Sequence, residues 1–392
     1  MKSIALVHFN AGGGHRAAAL ALQEAIAQQG RPWRVELVNL TEVLDPRGRF
    51  RRLTGIDPED LYNRRLARGW TLGLAQELKL LQGLIRLTHG RLVQALQQHW
   101  LRTEPDLVVS LIPNFNRALY ESLAGTLPGV PYVTVLTDMA DLPPHFWIEP
   151  GQQQHIVCGS TEALAQAQAA GYREDQLSLT SGMVMRPSFY AASQASRGLD
   201  RKAGLATLGL DPERPTGLVL FGGQGSTQML SIAKRLGDQQ LILMCGHNQP
   251  LAAGLRRLHR AAPHAVIGFT PEVARVMRLA DYFIGKPGPG SLSEAVHMGL
   301  PVITFHNAWT MPQERFNTRW VREQGVGQVV PSVRALPGAV AAVLHKLPAL
   351  HKRLQAIDNQ AVYEVTDILA DLLERAGAPA RTPTVQQLMG EP

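Results

Sequence analysis

Tyr282-Phe283-Ile284-Gly285-Lys286-Pro287-Gly288-Pro289-Gly290-Ser291-Leu292-Ser293-Glu294-Ala295 is the stretch on which the reading of this chain turns. Tyr282–Ile284 is short, apolar and β-prone. Glycines and prolines then break the run, and a helix is expected from Ser291 to His297. A strand that turns sharply into a helix gathers unpaired backbone N–H groups and the positive end of the helix dipole at one point. That point attracts an anion such as a phosphate. Glu294 falls on the first turn of the expected helix, where a carboxylate can accept hydrogen bonds from both hydroxyls of a ribose. The plainer alternative is an acid that complements the helix dipole, worth a few tenths to about 1 kcal/mol.

Outward from this stretch the same order of elements recurs. Thr216–Phe221 runs into Gly222-Gly223-Gln224-Gly225-Ser226, and Gln240–Cys245, Ala265–Ile267 and Leu300–Thr304 are further strands, with a helix over Glu272–Leu279. Near the start, Ser3–Phe9 ends in Asn10-Ala11-Gly12-Gly13-Gly14 and gives way to a helix over His15–Gln29. Val35–Leu40, Asp106–Leu111, Tyr132–Leu136 and His155–Cys158 follow as strands. Strands alternating with helices specify the α/β class, and the pattern predicts two Rossmann-like, doubly wound domains facing a central cleft. The expected boundaries are 1–187 for the first domain, 188–214 for a linker rich in polar residues, Pro and Gly, 215–375 for the second domain, and 376–392 for a disordered tail.

Composition narrows the function. The chain has 392 residues, 45% hydrophobic and 18% charged, enough for two cores. Its two cysteines, Cys158 and Cys245, sit in apolar runs and read as buried free thiols in a reducing compartment. No run approaches the roughly 20 apolar residues that span a bilayer, and the start carries no cleavage pattern, so a soluble or peripheral protein is expected. The net charge is +7, and the stretch 47–102 alone accounts for it, with eleven basic residues against four acidic ones. Leu61–Trp100 within it interleaves Trp70, many leucines and basic residues. Such a segment suits an anionic membrane surface, with Arg49, Arg51, Arg52 and Trp70 as the contacts. It equally describes a helical layer packed on a sheet with solvated arginines. A nucleic-acid-binding protein would use the same charge, but its recognition motifs are absent and aromatic residues make up 6%. Nucleic acid is therefore not an expected partner.

Three further motifs carry chemistry. Gly13 and Gly14 let the backbone approach a ligand on the acceptor side, and the triplet lacks the G-x-G-x-x-G spacing of a dinucleotide site, so no cofactor is expected. His15, on the first turn of its helix at the carboxyl edge of the sheet, can take a proton from an acceptor hydroxyl, or simply cap the helix. Thr137-Asp138 with His145-Phe146-Trp147 faces the cleft from the same side; Asp138 orients His15, acts as the base itself, or caps locally. Pro312-Gln313-Glu314-Arg315-Phe316-Asn317 gathers two amides and a carboxylate suited to sugar hydroxyls, or is an ordinary helix start.

Taken together and in order, Gly12–Arg16, Gly285–Ala295 and Pro312–Asn317 resemble the monogalactosyldiacylglycerol synthases and the processive diacylglycerol glucosyltransferases, relatives of the peptidoglycan GlcNAc transferases. Arg186-Pro187-Ser188-Phe189, Cys245-Gly246 with Asn248, and Gly268-Phe269-Thr270 support it. The resemblance implies a GT-B fold and an inverting hexosyl transfer from UDP-galactose or UDP-glucose to a lipid acceptor such as diacylglycerol. It implies His15 as the base and Gly222, Gly223 and Ser226 at the diphosphate. Phe269 would hold the uracil by its backbone. Gly288, Gly290 and Ser291 would meet phosphate, Glu294 the ribose, and Gln313 and Glu314 the donor sugar. Gln-Glu, where the peptidoglycan enzymes carry two glutamines, is closer to the glycolipid synthases. With no Asp-x-Asp motif, helix N-termini rather than a motif-held metal are expected at the leaving group. A UDP-sugar epimerase or a polyprenyl-linked GlcNAc transferase on the same fold is the alternative. The implied place of action is the cytoplasm, on the inner face of the cell membrane.

Overall fold

The structure, a computed structural model, describes residues 1–10, 13–46, 74–142, 145–194 and 198–377. Arg49, Arg51, Arg52 and Trp70, and the tail from 378 to 392, lie outside the described residues.

The first sheet contains β1 (Lys2–His8), β2 (Trp33–Asn39), β3 (Leu107–Ser110), β4 (Tyr132–Val135), β5 (His155–Cys158) and β6 (Leu177–Leu179). They lie in the order β2-β1-β3-β4-β5-β6, all parallel. The second contains β7 (Thr216–Leu220), β8 (Gln240–Met244), β9 (His264–Ile267), β10 (Tyr282–Gly285), β11 (Val302–Phe305) and β12 (Gly327–Val330). Its order is β12-β11-β10-β7-β8-β9, again parallel. The two-sheet α/β fold is as expected. In such sheets a crevice opens where the winding direction reverses, outside the carboxyl ends of the strands. The reversals fall between β1 and β3 and between β7 and β10. Each of the glycine-rich loops read from the sequence leaves one of these strands.

Parallel strands covered by helices on both faces need apolar residues on both faces. Leu107–Val109, Val133, Ile156, Leu241–Leu243 and Phe283–Ile284 are accordingly buried. Helix α1 (Gly14–Gln28) sets Ala18, Ala19, Leu22, Ala25 and Ile26 against the first sheet, the spacing of one helix face. Helix α2 (Leu74–Thr103) does two things. Its far end buries Leu96 and Trp100, whose indole N–H donates to Ser122 Oγ at 2.9 Å, so here the packed layer is the correct reading. Its near half leaves Leu80, Leu81, Leu84 and Leu87 exposed, Leu80 at 75% and Leu87 at 87%. Helix α3 (Asn116–Thr126) packs beside it.

Two expectations change. The stretch 188–214 holds helices over Pro187–Gln194 and Gly198–Thr207, because Phe189, Tyr190 and Leu205 have cores to enter. The chain's last described helix, Ala361–Gly377, returns to the first domain. It packs on α1, with Thr366 Oγ1 2.6 Å from Gln29 Oε1, Glu364 accepting from the Ser181 N–H at 2.7 Å, and an ion pair between Arg31 and Asp367. Residues 361–375 thus tie the two domains, and 376–377 are its last turn rather than part of a tail. Among the described residues no single helix is long and apolar enough to cross a membrane. Cys158 and Cys245 are free and buried, and burial pushes their thiols up to about 12 and about 11.

Candidate active site

On the first domain the site is built by the loops after β1, β3 and β4. Gly13 holds φ +80°, a left-handed conformation that suits glycine, and this turns the chain into α1. His15 lands half-buried at the helix start. Its Nδ1 lies 3.0 Å from Thr137 Oγ1, in the loop after β4, so the ring bridges two loops and does not cap its helix. Burial lowers the imidazole to about 4; the Leu111 backbone opposes this and His8 adds to it. His15 is therefore neutral at neutral pH, as a proton acceptor must be.

Asp138 does not orient His15; Thr137 takes that place. The Asp138 carboxylate is buried and accepts from the Trp147 indole N–H at 2.9 Å. Trp147 is fully buried, with its ring centroid 6.0 Å from that of His15. Its backbone N–H donates to Asp141 Oδ1 at 2.7 Å, which folds the 138–147 loop on itself. Trp147 thus positions Asp138 instead of presenting a face to an acceptor. Burial raises Asp138 to about 7, the Trp147 hydrogen bond pulling against it. Charges of the other domain act on Asp138 as well: Glu314 raises it and Lys286 lowers it. His145, held at φ +54°, lies apart from this cluster beside Glu149, 4.0 Å away.

On the second domain the two signature stretches are fastened together. Lys286 Nζ donates to Glu314 Oε1 at 2.8 Å, and Asn317 Nδ2 donates to the Pro287 carbonyl at 2.7 Å. Helix α4 (Pro289–His297) begins two residues earlier than the sequence reading, with Pro at its first position, so Glu294 sits in the second turn and not the first. No acidic residue occupies the first turn, which leaves the positive end at Gly288, Gly290 and Ser291 uncompensated. Glu294 is half-buried, and burial raises it to about 7 against the opposing charge of Arg186. Gly222 and Gly225 take φ +71° and +60°, and a Cβ at Gly225 would lie 2.9 Å from the Cys245 carbonyl oxygen. Gly223 is exposed at the loop tip, whereas Ser226 is buried and its hydroxyl accepts from the Gln228 N–H at 3.3 Å. Phe269 is 60% exposed and its ring stacks on His247, centroids 4.1 Å apart. Gln313 is half-buried and Glu314 buried.

Residues 218–372 match the Glycosyltransferase family 28 C-terminal domain. The second half is thus similar to the C-terminal domain of family 28 glycosyltransferases. Its glycine loop, α4 terminus, Glu294 and Gln313–Glu314 all fall inside the matched range. Across more of the chain, monogalactosyldiacylglycerol synthase 1 of Arabidopsis thaliana is 28% identical over 359 residues, covering 87% of this chain and 64% of that protein. The chain thus spans just under two thirds of that relative's length. A probable monogalactosyldiacylglycerol synthase 2 of Oryza sativa subsp. japonica is 27% identical over 418 residues, covering 97% of the chain and 82% of the relative. Among solved structures, MurG of Acinetobacter baumannii superposes with a TM-score of 0.56 at 12% identity, covering 95% of this chain and 100% of that one. Anabaena HepE with UDP-glucose gives 0.54 at 16% identity over 95% and 100%. The Neisseria meningitidis UDP-GlcNAc 2-epimerase bound to UDP-GlcNAc gives 0.55 at 12% over 96% and 100%. These likenesses establish the GT-B fold.

Sequence reasoning placed Lys286 in a motif without giving it work, and missed Thr137 as the partner of His15. Lys286 carries a visible signal, a lone cation inside a glycine-proline turn. Thr137 stands in a motif, but its pairing with His15 carries no local signal, since it depends on two loops 122 residues apart meeting.

Proposed function

We propose that the chain is an inverting hexosyltransferase that moves galactose or glucose from UDP to the hydroxyl of a lipid acceptor such as diacylglycerol. The observation that supports it best is the pairing of two reversal points: a neutral His15 and Asp138 on one side, and on the other a family 28 domain whose Lys286 and Glu314 act on Asp138. Glycine loops and the α4 terminus take the diphosphate, Glu294 the ribose, and Gln313 with Glu314 the hexose. His15 removes the acceptor proton as the oxygen attacks the anomeric carbon from the face opposite the leaving UDP. The helix N-terminus then stabilises the departing charge. The relatives' names favour a galactolipid product, and the HepE complex a UDP-hexose donor. The chain works from the cytoplasm on the inner face of the cell membrane, with the exposed leucines of α2 toward the lipid and the charge of Arg49, Arg51 and Arg52 attracting it to anionic headgroups.

The test is incubation with mixed UDP-sugars and a total lipid extract, followed by mass spectrometry. A hexosylated lipid formed with UDP release is the expected product. An isomerised UDP-sugar formed without lipid would instead make the chain an epimerase, and a polyprenyl-linked product would change the acceptor.

A further inference from the structure

A second cavity, of about 620 Å³, lies on the first domain between α2, α3 and the loop 145–152. Its lining differs from that of the cleft. Gln82 and Arg86 come from α2, Arg117 and Glu121 from α3, and Glu149 and Gln152 from the loop. Acceptors without donors mark its wall. Among the described residues the Glu149 carboxylate, 17% exposed, has no hydrogen-bond donor, with His145 Nδ1 4.0 Å away. Gln152 is 8% exposed, and its Oε1 has no partner. Arg117 and His89 are both engaged with Glu121, at 2.8 and 2.6 Å. Two wall residues, Asn114 and His145, hold φ +66° and +54°, and the Asn114 N–H donates to the Phe146 carbonyl at 2.6 Å. Non-glycine residues at positive φ cost energy and concentrate at functional sites. The same loops lead back to the cleft, through Leu111 beside His15 and through Trp147 beside Asp138.

The chemistry selects the ligand. Phosphate brings only acceptors: it could meet Arg86, but it offers no donor to the Glu149 carboxylate or to Gln152 Oε1. An apolar chain would strand Glu149 and the amides in a dry cavity. A neutral polyol brings hydroxyl donors for Glu149 and the amide oxygens and acceptors for the arginines and amide N–H groups. We propose that this cavity is a carbohydrate-binding site for a neutral hexose unit, separate from the donor site. The transferase reading bears only on where that hexose comes from: the headgroup of an already glycosylated lipid, or a free sugar.

Ligand-observed NMR with methyl β-glucoside, methyl β-galactoside and inorganic phosphate as probes tests it. Saturable hexoside binding is expected in the parent and in Gln313→Ala, which alters the donor-sugar site. Glu149→Gln and Arg86→Ala should each weaken binding, by roughly ten-fold for Glu149, whose charge-assisted bonds are lost. Phosphate binding in place of hexoside overturns the inference. So does hexoside binding that is absent, equal in all four proteins, or lost in Gln313→Ala alone. The source is read from lipid kinetics. A raised KM for a hexosyl-diacylglycerol but not for diacylglycerol in the two cavity variants assigns the headgroup; hexoside binding with neither KM changed assigns a free sugar. If UDP-hexose is consumed with no lipid yet hexoside binds as expected, the transferase reading fails and the cavity site stands.

Discussion

The identity of the base can be decided by a pH profile, because the fold drives the two candidates in opposite directions. Burial takes His15 down to about 4 and Asp138 up to about 7. A general base must be unprotonated, so kcat/KM falls as pH drops through its pKa. With His15 as base, about 90% of the maximal rate survives at pH 5; with Asp138, about 1%, a difference of nearly two decades. The measurement must follow the acceptor at saturating UDP-hexose, since Glu294 titrates near 7 in the free protein and would bend a donor profile in the same window. Trp147→Phe supplies a second reading. It removes the hydrogen bond that holds Asp138 down, so an Asp138-controlled limb moves to higher pH and a His15-controlled limb stays. We expect a flat profile to pH 5, no shift in Trp147→Phe, and a loss of roughly 10²–10⁴-fold in His15→Gln. A limb near pH 7 that climbs in Trp147→Phe would refute the assignment of His15 and transfer the role to Asp138. Circular dichroism at pH 5 guards against mistaking unfolding for titration.

Glu294 is raised to about 7 when free, and in the proposed donor site ribose hydroxyls would favour its ionised form. UDP affinity should therefore rise with pH until about 7 and binding should release protons below that pH; calorimetry in buffers of different ionisation enthalpy should show none in Glu294→Gln. The same shift has a stability sign. A carboxyl raised on folding stabilises below its unfolded pKa and loses that contribution as pH climbs through about 7, so unliganded Glu294→Gln should gain thermal stability over the parent at pH 8 and not at pH 4. Lys286→Met leaves Glu314 buried without its cation; with Lys286 33% exposed, a cost of about 1–3 kcal/mol is expected in chemical denaturation, partly recovered by adding Glu314→Gln. Charge reversal at Arg49, Arg51 and Arg52 should weaken sedimentation with anionic vesicles by roughly 1 kcal/mol per residue while leaving UDP binding unmoved. Transfer should survive EDTA; loss restored by magnesium would show that the α4 terminus does not carry the leaving-group charge.

The central strands were legible because parallel strands buried on both faces must be written as apolar runs, and Leu107–Ser110 or Gln240–Met244 can hardly be read otherwise. Two of the four edge strands, β6 and β12, were not. Leu177-Ser178-Leu179 and Gly327-Gln328-Val329-Val330 are half-exposed for most of their length and carry no such run, so β6 and β12 escaped. The glycine turns were legible for a different reason: Gly13, Gly222 and Gly225 hold positive φ, and sequence marks that requirement directly. Long-range geometry left no local trace. Helix Ala361–Gly377 has an ordinary amphipathic pattern, and nothing in it says that the apolar face belongs to α1 of the other domain.

That crossing bears on catalysis. In the proposed transferase each sheet brings half of a site to its reversal point, and neither half is complete without the other. Asp138 titrates where it does partly because Glu314 and Lys286 stand across the cleft, so its proton affinity reports how the domains are set. The domain setting is in turn held at the back of the molecule, by Thr366 and Asp367 on α1, by Glu364 on the Ser181 N–H, and by Asn359 donating to the Met183 carbonyl at 3.1 Å. On the side of α4, Arg319 meets Glu162 across the domains at 2.8 Å, a pair more than half exposed at the arginine and worth little alone. Of these contacts only the Asn359 hydrogen bond is buried and that of Thr366 partly so; the ion pairs and the Glu364 contact are exposed and add little to the relation of the two sheets. In the proposed transferase, Asn359→Ala is therefore expected to lower the rate of transfer at saturating UDP-hexose without changing UDP affinity, by altering how closely Lys286 and Glu314 approach Asp138; an unchanged rate would show that this contact does not set the domains.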